Sequence, residues 1–171
     1  LPVVVSPAPA DYLAITGSGT QEAGTSQNIT LTAYDEFNNM ATDYSGTKQI
    51  RFGGATPSDA PGVENPTVEA VDVGTNTEMD FTSGTVTVSM ALFNAESAKI
   101  TAADWTSGSE GILSPDDVID GGSTYVYQLP VVVNATSPSY FAITGSDTQT
   151  AGVAQNITIT MFDKYNNIAT S

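Results

Sequence analysis

The chain has 171 residues with 19 acidic and 4 basic side chains, no histidine and no cysteine, and its formal net charge is −15. The missing cysteine and histidine exclude disulfides, thiolate nucleophiles, imidazole bases and the commonest zinc ligands. Because phosphate contacts need lysine or arginine, nucleic acid and anionic membrane surfaces are disfavoured as partners, and this segment has no apolar run long enough to span a membrane.

The first part of the sequence has strand patterns separated by turn residues. Residues 12–16 are a short apolar segment, and residues 28–34 alternate apolar side chains with threonines. This period of two predicts strands with one buried face. Residues 35–39 (DEFNN) predict a turn, because Asp and Asn side chains bond to their own backbone and tolerate left-handed conformations. A further strand is predicted at residues 49–52.

The middle of the sequence predicts one long loop and three strands. Residues 53–66 are rich in Gly, Pro, Asp and Asn, which favours a loop or a strand-poor edge. Residues 78–81 predict a short strand, and residues 85–93 place four apolar side chains on one face. Residues 98–105 predict another strand with its apolar residues inward by parity.

A second loop and a closing strand complete this part of the chain. Residues 106–122 are rich in Gly, Ser and Asp, and residues 124–133 have a strand pattern that contains Pro130. Proline inside a strand indicates a bulge or an edge position. No segment has helical periodicity, so about seven to nine short strands predict an all-β antiparallel sandwich. The predicted core residues are Ile15, Ile29, Leu31, Phe52, Phe81, Val86, Val88, Leu92 and Ile100.

The end of the chain repeats its beginning. LPVVV at residues 1–5 returns at residues 129–133. Residues 1–43 align with residues 129–171 without a gap and with 25 identities. The period is therefore 128 residues, which is long enough for a domain with its own core.

This repetition predicts a tandem array. We expect residues 1–6 to be the closing-strand end of a preceding repeat and residues 7–134 to be a complete repeat. Residues 135–171 are then the first strands of the next, incomplete repeat. The connector at residues 134–139 is short and contains proline, so consecutive domains are expected to stack end to end as a rod.

The repeated pattern resembles a known family. F-A-I-T-G-x-x-T-Q-x-A-G-x-x-Q-N-I-T-I-T-x-x-D-x-x-x-N-x-A-T at residues 141–170, with its counterpart at residues 13–42, is similar to bacterial immunoglobulin-like (Big) repeats of large surface and secreted proteins, including invasin-like and filamin-like arrays. Residues 81–103 look like the second half of the same repeat. The resemblance implies an immunoglobulin-like β-sandwich in a stalk, adhesin or surface filament, and it does not imply catalysis.

Two acidic segments are candidate cation sites. Asp116, Asp117 and Asp120 form the densest acidic cluster of the sequence. Calcium is the one cofactor that we consider there. A solvated loop without a bound ion is the favoured interpretation of this cluster. The turn at residues 35–39 also offers oxygen ligands. It lacks the regular spacing and terminal Glu of a dedicated calcium loop, and its Glu36 becomes Lys164 in the second copy, which favours a structural turn.

Aromatic residues allow a second kind of site. Trp105, Tyr125 and Tyr127 could stack on a sugar, but aromatic residues on sandwich strands are more often packing residues. The sequence has enough carboxylates for glycoside hydrolysis, but it has no aromatic-rich pattern typical of a sugar-binding cleft and no other catalytic group beside the carboxylates. An enzyme is therefore not expected.

The incomplete repeat predicts the partners of the chain. Ile157, Ile159 and Met161 would leave an apolar face exposed beside open strand edges, which is an aggregation hazard. Neighbouring copies of the same repeat are therefore the expected partners, either in the same polypeptide, which we favour, or as filament subunits joined by strand complementation.

The favoured function is a non-enzymatic structural repeat of an extracellular microbial stalk, fibre or filament at the cell surface or secreted. The alternative is an adhesive or carbohydrate-binding module, with or without a requirement for calcium.

Overall fold

The computed structural model of the chain describes residues 1–109, 111, 112, 114 and 127–170 in full, and the backbone of Val118–Asp120 and Ser123–Tyr125. All regular secondary structure in these residues is β-strand, which confirms the predicted all-β class. In chain order the strands are β1 (Tyr12–Thr16), β2 (Thr20–Glu22), β3 (Ser26–Tyr34), β4 (Gly46–Gly53), β5 (Thr67–Val68), β6 (Val71–Asp72), β7 (Asn76–Phe81), β8 (Thr85–Ala91), β9 (Ser97–Asp104), β10 (Val118–Asp120), β11 (Ser123–Tyr125), β12 (Leu129–Asn134), β13 (Tyr140–Thr144) and β14 (Thr158–Phe162).

Two five-stranded sheets pack face to face. The first has the strand order β1-β3-β8-β5-β6 and the second has the order β2-β12-β9-β4-β7, whereas β10 pairs with β11 and β13 pairs with β14 in separate hairpins. Neighbouring strands of both sheets are antiparallel except for β2 and β12, which run parallel. The predicted immunoglobulin-like antiparallel β-sandwich is confirmed.

The core lies between the two sheets, and strand alternation decides which side chains enter it. In β3, Ile29, Leu31 and Ala33 are fully buried, while the threonines between them are half-exposed. Burying one large aliphatic side chain contributes roughly 1.5–3 kcal/mol. The predicted core is confirmed at all positions except Val86, which is only partly buried against the cluster.

The closing strand is shorter than predicted, because β11 and β12 are separate strands. Pro130 pairs with Lys99 of β9, whereas the pairing of β12 with β2 begins only at Val132. β12 itself lies inside the sheet between β2 and β9, so the predicted edge position is wrong for the strand. Pro130 is accommodated because it has a paired residue on the β9 side only, and no partner needs its missing N–H.

The sequence patterns do not predict β2, β5 or β6, and the loop predicted at residues 106–122 contains β10. These strands have two or three residues, too few for an alternation to be detected. β2 depends on its partner β12: the hydrogen bonds Val132 N–H to Gly19 O (2.9 Å) and Ala23 N–H to Asn134 O (2.8 Å) fix it there. The loop predicted at residues 53–66 is confirmed beyond Gly53.

The hairpin of β13 and β14 repeats the hairpin of β1 and β3. The residues of both hairpins pair in the same register, shifted by 128 residues along the chain. Phe141 and Ile143 are each 66% exposed, whereas their counterparts Leu13 and Ile15 are 0% and 2% exposed. The same local structure therefore forms twice. Within the described residues, a second sheet covers the hairpin of β1 and β3 but not the hairpin of β13 and β14.

The repeated LPVVV segment shows the same dependence on neighbours. At residues 129–133 it forms most of β12, a strand between β9 and β2, and its Val131 is 1% exposed. At residues 1–5 it forms no strand, and Val3 is 82% exposed. Identical residues therefore become a strand only where partner strands lie beside them.

Candidate interface between the repeat copies

The turn at residues 35–39, called the first turn below, is held by its own aspartate. The Asp35 carboxylate is fully buried, and its Oδ1 accepts hydrogen bonds from the backbone N–H groups of Phe37 (2.9 Å) and Asn39 (2.8 Å). Its Oδ2 accepts from the side-chain amide of Asn39 (3.1 Å) and from the N–H of Ala8 (2.9 Å). Asn38 has a φ of 64°, a left-handed conformation that asparagine tolerates. The predicted Asx turn is confirmed.

These hydrogen bonds bear on the alternative of calcium at the first turn. The N–H groups direct their positive ends at both oxygens of Asp35, whereas calcium needs oxygen atoms with free lone pairs. Both oxygens of the Asp35 carboxylate therefore accept hydrogen bonds that hold the turn and the connector before it.

The acidic cluster predicted as a calcium site is described only in part. Asp116 and Asp117 lie outside the described residues, and Asp120 is described by its backbone in β10. Among the residues that the structure does describe, no group of three or more Asp, Glu, His or Cys side chains could hold a metal ion. Calcium at Asp116, Asp117 and Asp120 stays a prediction.

Asp35 should make the stability of the fold depend on pH. Burial by itself raises the pKa of this carboxyl, but hydrogen bonds from Asn39, Ala8 and Phe37 outweigh burial and hold the pKa below its ordinary value. A pKa that is lower in the folded chain stabilises the fold above the unfolded value of about 3.9. This stabilisation is lost as the pH falls through the folded-state pKa.

We therefore expect Asp35→Asn to lower the melting temperature at pH 7, and to lower it progressively less between about pH 5 and about pH 2. Thermal unfolding followed by circular dichroism over this range measures the difference between the two proteins. A difference that stays constant with pH would contradict the assignment.

The second turn, residues 163–167, is built in the same way. Oδ1 of Asp163 accepts from the backbone N–H groups of Tyr165 (2.8 Å) and Asn167 (2.9 Å), and Oδ2 accepts from the N–H of Thr136 (3.0 Å). Asn166 has a φ of 68°. Unlike the first turn, the second turn is in contact with the end of the sandwich that precedes it.

This contact surface consists of Gly24, Phe93 and Ala95 and is called the acceptor surface below. The side-chain amide of Asn167 donates from Nδ2 to the backbone O of Phe93 (2.8 Å), and its Oδ1 accepts from the backbone N–H of Ala95 (2.7 Å). Asn167 is only 6% exposed, so both ends of a buried amide are satisfied across the interface.

Tyr165 fills the rest of the acceptor surface. Its ring meets the Phe93 ring edge to face, with centroids 5.2 Å apart and planes inclined by 69°, and the residue is 8% exposed. Such an aromatic pair contributes about 0.5–1.5 kcal/mol beyond its area. A Cβ atom at residue 24 would lie 2.0 Å from Oη of Tyr165, so only glycine leaves room for the ring.

Polar groups around this contact also connect the two sides. The Thr136 hydroxyl, in the connector, donates to the carboxylate of Glu22 in β2. The Lys164 ammonium lies 4.7 Å from the centre of the Tyr165 ring. Contact with Tyr165, and then the nearby carboxylates of Asp163 and Glu64, raise the pKa of Lys164 above its ordinary value. The second turn also approaches the loop that carries Glu64, since the backbone O of Lys164 is 3.6 Å from the place of a Cβ atom at Gly62.

The predicted aromatic platform is only partly described. The guanidinium of Arg51 lies 3.8 Å from the centre of the Trp105 ring, beside a cleft of about 320 Å³. Tyr127 packs edge-on against Tyr12 at 4.7 Å, and the side chain of Tyr125 lies outside the described residues. Trp105 and Tyr127 therefore contact different partners.

The sequence predicts the turns but not their role in the interface. The available signal was an aromatic residue at the same position of both turns, Phe37 and Tyr165, in a segment whose other residues are mostly polar. The acceptor surface had no such signal, because Gly24 and Phe93 are brought together only by the folded sandwich.

Comparison with known proteins assigns the chain to no family. No protein-family model matches it, and no curated protein matches it. Among solved structures it is similar to surface layer protein SbsC, domains 4–9, with 16% identity and a TM-score of 0.38. The match covers 96% of this chain and 22% of that chain, so this chain spans less than a quarter of the solved structure.

The described part of the chain contains no helix with the length and apolar character needed to cross a membrane.

Proposed function

We propose that the chain is a non-enzymatic structural repeat of an extracellular array, in which each 128-residue unit packs directly against the next. The observation that carries this proposal is the seating of the second turn on the acceptor surface. Tyr165 and Asn167 are buried there by the preceding sandwich, and they lie in a segment that repeats the first turn.

The exposed apolar faces support covalent continuation of the array. Ile157 and Ile159 of the incomplete repeat are 57% and 58% exposed, whereas their counterparts Ile29 and Leu31 are fully buried. The next strands of the same polypeptide would cover this face as β4, β7 and β9 cover the first copy. Strand complementation by another molecule is the second way to cover it.

The composition supports an extracellular location. The chain has few lysines, no cysteine and a net charge of −15, and it is rich in Thr, Ser, Gly and Asn. A high net charge of one sign keeps neighbouring rods apart in solution. Packing between units then supplies stiffness.

Cell-surface labelling tests the proposal. An antibody raised against residues 7–134 should label intact cells of the source organism, and electron microscopy of the native protein should show beads at a regular spacing. Label that appears only after permeabilisation, or compact particles without periodicity, would overturn it. Specific retention on a glycan array would favour the adhesive alternative.

A further inference from the structure

The first turn presents the same interface groups as the second turn but has nothing docked against it in the described residues. Phe37 is 67% exposed, whereas Tyr165 is 8% exposed. Asn39 is exposed, whereas Asn167 is buried. The difference lies in what surrounds the two turns and not in how they are built.

The first turn is already in its docking conformation. The hydrogen bonds to Asp35 match those to Asp163 within 0.1 Å, at 2.9 and 2.8 Å against 2.8 and 2.9 Å. The N–H of Ala8 contacts Asp35 as that of Thr136 contacts Asp163. A preorganised turn loses little conformational freedom on docking, which favours binding.

We infer that Phe37 and Asn39 dock on the acceptor surface of a preceding repeat unit, the one whose closing strand is formed by residues 1–5. The inference deepens the proposed function and rests on it. Phe37 lies 36 residues after Leu1, as Tyr165 lies 36 residues after Leu129, so the LPVVV segment, the connector and the turn follow in the same order and spacing in both copies. The acceptor surface of this chain is already occupied by Tyr165, so another copy of the chain is not the occupant.

Position 36 should tune the strength of this contact. The backbone O of Lys164, the counterpart of Glu36, is 3.6 Å from the place of a Cβ atom at Gly62, so position 164 lies beside the loop that carries the acidic Glu64. If the preceding unit has the same loop, Glu36 would face a carboxylate instead. The interface made by the first turn is then weaker than that made by the second turn, and added salt should strengthen it.

A concatemer tests the inference. Residues 1–128 are joined to the full chain, so that Gln128 precedes LPVVV as it does in the natural sequence. Because the chain has no cysteine, one cysteine in each complete unit, placed on an exposed strand position, accepts a spin label without competition. Distances between the labels are measured by pulsed electron paramagnetic resonance.

We expect one narrow distance distribution for the concatemer and loss of the narrow peak with Phe37→Ala in the downstream unit. Phe37→Tyr should keep the peak, since Tyr165 fills the same position in the second turn. Glu36→Lys should sharpen it at low salt. In the 171-residue chain, Phe37→Ala should leave the melting temperature unchanged.

A broad distance distribution for the parent concatemer would overturn the inference, provided that each of its two units is shown to be folded by a cooperative unfolding transition. The labels report docking wherever the protein is located, whereas the antibody experiment reports location. Failure of the inference and failure of the proposed function can thus be told apart.

Discussion

Ile29→Ala is expected to lower the free energy of unfolding by about 2–5 kcal/mol, whereas Ile157→Ala, the same change in the second copy, should alter it by less than about 0.5 kcal/mol. Ile29 is 0% exposed between the two sheets, and Ile157 is 57% exposed. Truncating the first side chain removes buried methylene groups and leaves a cavity, while truncating the second leaves no cavity.

Urea denaturation of both variants and the wild type, monitored by the fluorescence of the single Trp105, measures this difference. The m-value should be unchanged, because the surface exposed on unfolding is nearly the same. An equal loss in both variants would mean that the β13–β14 hairpin is covered in solution. A stability that rises with protein concentration would then identify another molecule as the cover.

Gly54→Ala is expected to destabilise the chain by about 3–5 kcal/mol, and Gly74→Ala by about 1–2 kcal/mol. Both glycines have a left-handed backbone, with φ of 91° and 92°. A Cβ atom at residue 54 would lie 1.9 Å from the carbonyl oxygen of Lys99, whereas a Cβ atom at residue 74 would meet nothing within 4 Å.

The two glycine variants therefore share the cost of placing alanine at positive φ and differ in the steric clash. Relief of the clash would require β4 and β9 to separate where Lys99 N–H donates to Gly54 O at 3.3 Å. Urea denaturation of the two proteins measures the difference directly. Equal losses would show that this end of the second sheet moves freely enough to accept a methyl group.

The alternating segments of the fold could be predicted from the sequence. In residues 28–34 each side chain that the alternation assigns to the core is buried. Successive side chains of a strand point to opposite faces of the sheet, and only one face of this strand meets the core. β2 could not be predicted in this way. Its residues TQE have no apolar alternation, and they form a strand because β12 lies beside them.

The interface could be predicted only as a turn. Local hydrogen bonds to Asp163 follow from the Asx chemistry of residues 163–167, and the sequence contains that information. The burial of Asn167 depends on backbone groups of Phe93 and Ala95, which are 74 and 72 residues away in the chain. No periodic pattern reports a contact at that separation, and the identical LPVVV segments show that even strand formation depends on such neighbours.

The parallel pairing of β2 with β12 has a mechanical consequence. β2 lies near the start of the sandwich and β12 ends it, and they run in the same direction. Tension between the two ends of the unit would pull these strands past each other along their axes. The bonds from Val132 to Gly19 and from Ala23 to Asn134 would then be sheared together instead of opened one after another. A strand pair loaded in shear resists extension more than one that is unzipped, so the unit would yield only at high force.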